Sequence, residues 1–141
     1  MREIKYIVLH CTASPQTQTV QAILSYWKNN LKWKTVGYHH LLDSKGVVNN
    51  LQPIELPTNG VKGYNSNSIH ISYIGGVDNQ GKAVDNRTPE QIASQIKLLK
   101  HYKDMFPNAK VLGHRDFPKV AKACPSFDVS EWLKTINLNK D

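Results

Sequence analysis

The sequence predicts a single α/β domain, spanning residues 1–141, in which helices flank a central mixed β-sheet. Short β-branched apolar runs alternate along the chain with segments of helical periodicity, as in sheets whose parallel strands are joined by helices. One polar turn between two apolar runs indicates a hairpin, so the same sheet must contain antiparallel pairing. A chain of 141 residues can bury a core without disulfides, and no repeat or linker divides it.

The first half of the chain is predicted to contain a strand, a helix and the hairpin. The run IKYIVL at 4–9 is short, apolar and bounded by polar residues, as in a buried strand. Apolar residues then recur with helical spacing between 20 and 31, which predicts one buried helix face. That face consists of Val20, Ile23, Leu24, Trp27 and Leu31. Segments 36–42 and 46–51 flank the polar turn DSK and are predicted to pair as a hairpin.

Two further strands and a long loop are predicted beyond the hairpin. Residues 52–68 are rich in proline, glycine and asparagine, which predicts a long loop, and such loops within compact domains are often functional. The apolar runs IHISYIGG at 69–76 and AKVLG at 109–113 are interpreted as strands.

Two helices in the second half carry clear start signals. The stretch TPEQ, which begins at Thr88, has the cap residue, the first-turn proline and the Gln91 of a capping box. The helix is expected to end near Phe106, because a proline follows it. Asp128 and Glu131 have the same spacing and predict the start of a last helix.

Composition narrows the classes of partner and compartment. Eighteen Lys and Arg residues against 11 Asp and Glu give a net charge of +7, which favours an anionic partner such as nucleic acid, a membrane surface or an acidic cell-wall polymer. The basic residues are scattered and no nucleic-acid-binding module is recognisable, so no specific nucleic-acid partner is predicted. No apolar run reaches the roughly 20 residues of a membrane span. The N-terminus lacks the features of a signal peptide, so we expect a cytoplasmic monomer or a non-classical export route.

A candidate metal site comes from two histidines and a cysteine. His10 ends the first predicted strand, His114 ends the strand at 109–113, and Cys124 lies in the loop that follows. If these strands are parallel neighbours, their carboxyl ends meet at one edge of the sheet. Three ligands of mixed nitrogen and sulfur type with a fourth position open are typical of catalytic zinc. The spacing alone also allows histidines with purely structural roles, or a Cys11–Cys124 disulfide, although strand alternation turns Cys11 away from His10.

Four other histidines are rival ligands: His39, His40, His70 and His101. His101 lies in the middle of a predicted helix beside lysines, which indicates a surface position. His40 shares a predicted strand face with Tyr38, so it is expected to be able to approach the site.

Five motifs, in order, resemble those of a known family. They are VLHCTAS (8–14), VGYHHLLDSKG (36–46), VKGYNSNSIHISYIGG (61–76), VLGHRD (111–116) and KACPSFD (122–128). Together they resemble the zinc-dependent N-acetylmuramoyl-L-alanine amidases, the type 2 amidase domain that phage amidase endolysins share with peptidoglycan-recognition proteins. The similarity extends over nearly the whole chain, and five ordered motifs are far more specific than any one of them.

The resemblance implies an activity and a set of site residues. His10, His114 and Cys124 would hold one Zn²⁺ per chain, and Tyr38 and Lys122 would be catalytic. Without the resemblance, Tyr38 would be interpreted as a core aromatic residue and Lys122 as a solvated lysine. The implied reaction is hydrolysis of the amide between N-acetylmuramic acid and the L-alanine of the stem peptide, in peptidoglycan or a muropeptide. The implied setting is a phage or prophage lysin that acts on the cell wall after release from the cytoplasm; a wall-recycling enzyme or a toxin delivered by a secretion apparatus would have the same sequence features.

Two positions depart from the family pattern, and one alternative function stays open. Family members often carry a histidine just before the KGYN stretch, where this chain has Gly60, and a glycine in the next strand, where it has His70. Some relatives use a glutamate as general base, but no motif assigns that role to Glu55. The alternative is a non-catalytic peptidoglycan-binding module. Such modules lack the ligand cysteine, so the presence of Cys124 favours the enzyme.

Overall fold

A mixed β-sheet forms the centre of the molecule, as predicted. The computed structural model describes residues 2–138, so the predicted domain limits at 1 and 141 lie outside the described residues. The strands are β1 (Tyr6–Cys11), β2 (His40–Leu42), β3 (Val48–Asn50), β4 (Ser68–Tyr73) and β5 (Lys110–Gly113). Their order in the sheet is β3-β2-β4-β1-β5. β1 pairs in parallel with both β4 and β5, β2 pairs in parallel with β4, and β2 and β3 form the predicted antiparallel hairpin.

Helices cover the sheet on both sides. They are α1 (Val20–Ser25), α2 (Pro89–Met105) and α3 (Val129–Thr135). The predicted capping box of α2 is present, with the Thr88 side chain accepting from the Gln91 backbone and the Gln91 side chain accepting from the Thr88 backbone. At the start of α3, the Asp128 side chain accepts a hydrogen bond from the Glu131 backbone N–H.

The helix predicted over 20–31 changes geometry halfway. After α1 the backbone continues as a wider π-helical turn over Tyr26–Asn30. Ile23 and Trp27 are buried as predicted, but Leu31 is exposed. The wider turn holds more residues than an α-helical turn, so it rotates Leu31 away from the face that the 3.6-residue period assigns to it.

One face of the sheet forms the main apolar core. Alternate residues of β1 and β4 point to this face, among them Ile7, Leu9 and Ile71. They pack against side chains of α2 and α3, including Leu99 and Leu133. Full burial of each aliphatic side chain contributes roughly 1.5–3 kcal/mol relative to exposure, so this face carries much of the stability.

The opposite face is polar near the carboxyl ends of the strands. Val8 and His10 of β1 point this way, beside His70 and Ser72 of β4, their partners in the parallel register. The long loop after β3 and the segment after β5 rise on either side, and Val8 packs against one residue from each, Val61 and Phe117. The result is an open depression with His10 and His114 in its lining.

No helix within residues 2–138 combines the length and apolar character that crossing a membrane would require.

Candidate metal centre and active-site cleft

His10 and His114 converge as the sequence predicted. β1 and β5 are parallel neighbours, and His114 directly follows Gly113 at the end of β5. The two imidazole rings lie with their centroids 4.8 Å apart. His10 is almost fully buried, and His114 is partly exposed to the depression.

Cys124 is brought to the same point by backbone hydrogen bonds. The Arg115 N–H donates to the Cys124 carbonyl at 2.9 Å, which ties the cysteine loop to the turn containing His114. The Cys11 N–H donates to the Cys124 Sγ at 3.1 Å. Sγ lies 3.9 Å from the Nδ1 of His10, and one ligand atom from each of His10, His114 and Cys124 falls within 4.8 Å of the others.

This donor set fits a zinc ion. Bonds of about 2.0–2.1 Å to nitrogen and 2.3 Å to sulfur place tetrahedral ligand atoms roughly 3.3–3.6 Å apart, slightly closer than the atoms lie here. The pKa of His10 is lowered well below its ordinary value, first by burial and also by the positive charge of Lys122. Burial and the Lys122 charge also lower the pKa of His114. Both imidazoles are therefore neutral at pH 7, the form that binds a metal.

Without a bound cation, the surroundings of the Cys124 thiol favour its protonated form. The pKa of the Cys124 thiol is raised well above its ordinary value by its hydrogen bond with the Cys11 thiol and by burial. A bound cation reverses this preference, because its positive charge favours the thiolate. Both cysteines are free thiols. Cys11 belongs to the apolar core on the other side of the sheet, as strand alternation predicted.

The rival histidines do not join the ligand cluster. The expectation that His40 approaches the site is wrong: its ring lies on the opposite face, where Nε2 hydrogen-bonds the Tyr102 hydroxyl. Strand alternation does not extend from Tyr38 to His40, because β2 begins only at His40. His101 is exposed on α2, as predicted. His39 is buried away from the cluster and hydrogen-bonds the Leu56 carbonyl at 2.7 Å.

His70 lies next to the cluster in a role that the sequence did not reveal. Its Nδ1 is 2.9 Å from the Nε2 of His10, and its Nε2 is 2.8 Å from the Oδ1 of Asn65. The sequence marks His70 as a departure from the family pattern but gives no parallel register, so its contact with His10 could not be predicted. Asn65 had no signal beyond its place in a polar loop.

Tyr38 and Lys122 both line the depression. The Tyr38 ring lies 5.0 Å from that of His10, centroid to centroid, and its hydroxyl donates to the Cys11 carbonyl at 3.3 Å. Burial raises the pKa of Tyr38, so the hydroxyl keeps its proton and stays a donor. Lys122 is exposed at the rim, and its charge reaches both histidine ligands.

The ligands lie in an open cleft of about 800 Å³. Aromatic residues and lysines contribute to its lining: Trp27, Trp33, Tyr38, Tyr64, Lys62, Lys119 and Lys122. Among residues 2–138, no aspartate or glutamate lines it. Glu55 is exposed elsewhere on the surface, where its charge acts on Arg2 and Tyr102. The cleft is therefore electropositive.

A cluster of two histidines and a cysteine at the floor of an open cleft, at the carboxyl ends of parallel strands, is typical of metal-dependent hydrolases. A family model described as N-acetylmuramoyl-L-alanine amidase matches residues 1–127. The chain therefore belongs to the N-acetylmuramoyl-L-alanine amidase family, and it is an amidase of that class. This confirms the resemblance that the five motifs indicated.

Individual relatives agree with this assignment. The chain is 32% identical over 135 residues to the endolysin of Enterobacteria phage K11, covering 95% of this chain and 88% of that protein. The Ph2119 endolysin from the Thermus scotoductus MAT2119 bacteriophage has a similar structure, with a TM-score of 0.79, 26% identity and coverage of 97% and 85% of the two chains. PGRP-SA of Apis mellifera, at 22% identity, shares the fold, with a TM-score of 0.78 and coverage of 95% and 82%.

Proposed function

We propose that His10, His114 and Cys124 hold one Zn²⁺ per chain and that the amidase depends on it. The proposed reaction is hydrolysis of the amide between N-acetylmuramic acid and the L-alanine of the stem peptide in peptidoglycan. The observation that carries this proposal is the convergence of the three ligand atoms within 4.8 Å at the floor of the cleft. Zinc bound there supplies a Lewis acid for the scissile carbonyl and lowers the pKa of water, the two requirements for attack on an amide at neutral pH.

Lys122 and Tyr38 are proposed to stabilise the oxyanion that forms when the carbonyl is attacked. The Lys122 ammonium stands at the rim of the cleft, two residues from a ligand, and brings a positive charge to the site where negative charge develops. The Tyr38 hydroxyl keeps its proton, and its long hydrogen bond of 3.3 Å to the Cys11 carbonyl leaves it free to turn toward the substrate. Both groups act as donors, and neither has to lose a proton.

The cleft suits an extended glycopeptide. Its open shape admits a polymer, and the indole and phenol rings offer flat apolar surfaces to sugars and peptide. Lys62, Lys119 and Lys122 line it without a neighbouring carboxylate among the described residues, so carboxylates of a stem peptide are attracted. Together with the matched endolysin relatives, this supports action on the cell wall as a phage or prophage lysin that is released from the cytoplasm.

Mass spectrometry of fragments released from purified peptidoglycan tests the proposal. We expect stem peptides with a new L-alanine amino terminus, no such peptides after treatment with a chelator, and their return when zinc is restored. Hydrolysis of the same bond that continues unchanged in metal-free protein would overturn the zinc dependence. Intact glycopeptides from folded, zinc-loaded protein would instead favour a binding module.

A further inference from the structure

A chain of hydrogen bonds runs from the backbone of the long loop to the first metal ligand. The Val61 N–H donates to the Oδ1 of Asn65 at 2.8 Å, which fixes that atom as the side-chain oxygen and not the nitrogen. The Nε2 of His70 lies 2.8 Å from the same oxygen. Since an amide oxygen can only accept, the Nε2 of His70 must carry the hydrogen.

The tautomer of His10 follows from that of His70. A neutral imidazole that donates from Nε2 accepts at Nδ1, and the Nδ1 of His70 lies 2.9 Å from the Nε2 of His10. His10 therefore donates from Nε2, and the lone pair of its Nδ1 is left free. This Nδ1 is the atom that lies 3.9 Å from the Cys124 sulfur, so the ligand atom already faces the other ligands.

We infer that His70 is a positioning residue for the metal centre: anchored by Asn65, it holds His10 in the tautomer and orientation that bind the metal. The inference rests on the proposed metal site and adds a residue to it. His70 is fully buried in β4, and its ring packs edge-on against that of His10, with centroids 4.9 Å apart. Partners that hold a ligand histidine in this way commonly change metal affinity about 10–100-fold when they are replaced.

The same geometry couples His70 to Gly60. A Cβ atom built on Gly60 would lie 2.3 Å from the Nδ1 of His70, closer than atoms can approach. Gly60 does not have a left-handed backbone conformation, so the backbone there accepts a side chain. The ring of His70 is what excludes one. The two departures from the family pattern therefore have one cause, since the imidazole of His70 occupies the space beside His10.

Two substitutions separate the hydrogen bond from the volume of the ring. His70→Leu keeps a side chain of similar bulk without an acceptor, whereas His70→Asn places an oxygen near the position of Nδ1. We expect zinc affinity, measured by competition with a chromophoric chelator, to fall about 10–100-fold in the leucine variant. We expect the asparagine variant to recover most of that loss. Equal affinity in the leucine variant and the wild type would overturn the inference.

His40→Leu is the matched control, because His40 is also a buried, hydrogen-bonded histidine, placed on the neighbouring strand and the opposite face. It is expected to lower stability and leave zinc affinity unchanged. If it weakens zinc binding as much as His70→Leu does, general destabilisation explains both effects and the positioning role is wrong.

A spectroscopic readout avoids both metal and activity. Nitrogen-15 NMR of the metal-free protein reports the tautomer of each imidazole, and we expect His10 to carry its proton on Nε2 in the wild type and in His70→Asn. His70→Leu should give a mixture of tautomers. A single unchanged tautomer in the leucine variant would contradict the inference.

Gly60→Ala gives an independent perturbation, since it displaces the ring of His70 without removing it. Alone, the alanine is expected to weaken zinc binding, and in the His70→Leu background it should add little further loss. Fully additive losses would contradict the coupling. Failure of the proposed metal site is distinguishable, because the wild type itself would then bind no zinc at His10, His114 and Cys124.

Discussion

The two faces of the sheet are formed by the same strands, but one face packs the main apolar core and the other carries the candidate metal site. On the face toward α2 and α3, residues such as Leu9 and Ile71 are fully buried among apolar neighbours, and any well-packed side chains of similar volume would serve. On the other face, His10 and His70 are just as buried but depend on particular partner atoms. The apolar face therefore tolerates substitution by other apolar residues, with some loss of packing. The polar face tolerates little, because a buried polar group that loses its partner is costly.

His40 and His70 make the comparison sharper, since they are the same residue type on adjacent strands. His40 faces α2, where Tyr102 and Asn50 satisfy its two ring nitrogens. His70 faces the cleft, where its partners are Asn65 and a candidate metal ligand. Burial and hydrogen bonding are alike in the two cases. The functional histidine differs from the structural one because one of its partners, His10, is itself a candidate metal ligand.

The largest expected effect is the loss of a ligand on the polar face. Cys124→Ser replaces a thiolate with a hydroxyl that binds zinc poorly, so zinc content should fall and hydrolysis should be abolished. Circular dichroism should show an intact fold, because the cysteine lies in a loop and packs against the apolar core without being fully buried in it. Zinc content by atomic absorption and release of stem peptides measure the two outcomes. A variant with full activity would show that the ligand set is wrong.

Replacement of Lys122 should lower turnover without changing metal binding. Lys122→Ala is expected to keep zinc and to lower kcat about 10²–10³-fold, the scale for loss of one oxyanion stabiliser. Lys100→Ala removes an exposed lysine of α2 and serves as the control for the change in net charge. If the two variants have the same turnover, Lys122 is a solvated surface residue.

A substitution that leaves a cavity on the apolar face should lower stability without changing zinc binding. Leu99 of α2 is fully buried in the main core. Leu99→Ala is expected to lower the free energy of unfolding by about 2–5 kcal/mol, measured by denaturant titration, while the zinc affinity of the folded protein stays unchanged. A loss of zinc affinity comparable to that of His70→Leu would mean that the two faces are not independent.

A more gradual effect is expected in the pH dependence of stability. Burial, the charges of Arg2 and His40 and a bond to the Leu56 carbonyl set the pKa of His39, and the net effect lowers it to about 4. Its value in the unfolded chain is about 6.5, so between these pH values the unfolded state binds a proton that the folded state does not. The free energy of unfolding should therefore fall with decreasing pH, by up to about 1.4 kcal/mol per pH unit from this group.

His39→Gln tests that slope. The variant is expected to be less stable than the wild type at pH 7, because the bonds of His39 to the Leu56 carbonyl and the His70 N–H are lost. The gap should narrow as the pH falls from 6.5 toward 4, since the variant has no proton to take up at this position. Denaturant titrations at several pH values measure it, with His101→Gln as a control for an exposed histidine. A constant gap would contradict the prediction.

The sequence by itself determined the class of fold, the helix starts and the ligand candidates. Capping residues such as Thr88 and Asp128 act within one turn, and apolar periodicity acts along one element, so both can be recognised without knowledge of the partners. His10 and His114 could be placed because each lies at the carboxyl end of a strand, and these ends converge when the strands are parallel neighbours. Local signals of this kind can be recognised without knowing which residues of neighbouring strands pair.

Only the tertiary structure decided what depends on register and on where an element begins. The pairing of Val8 with His70 in the parallel ladder places that imidazole beside His10, and no pattern along the chain encodes it. The start of β2 at His40 sends that ring to the opposite face from the one that alternation predicted. A shift of one residue exchanges the two faces of a strand, so partners that lie far apart in sequence settle which histidines reach the site.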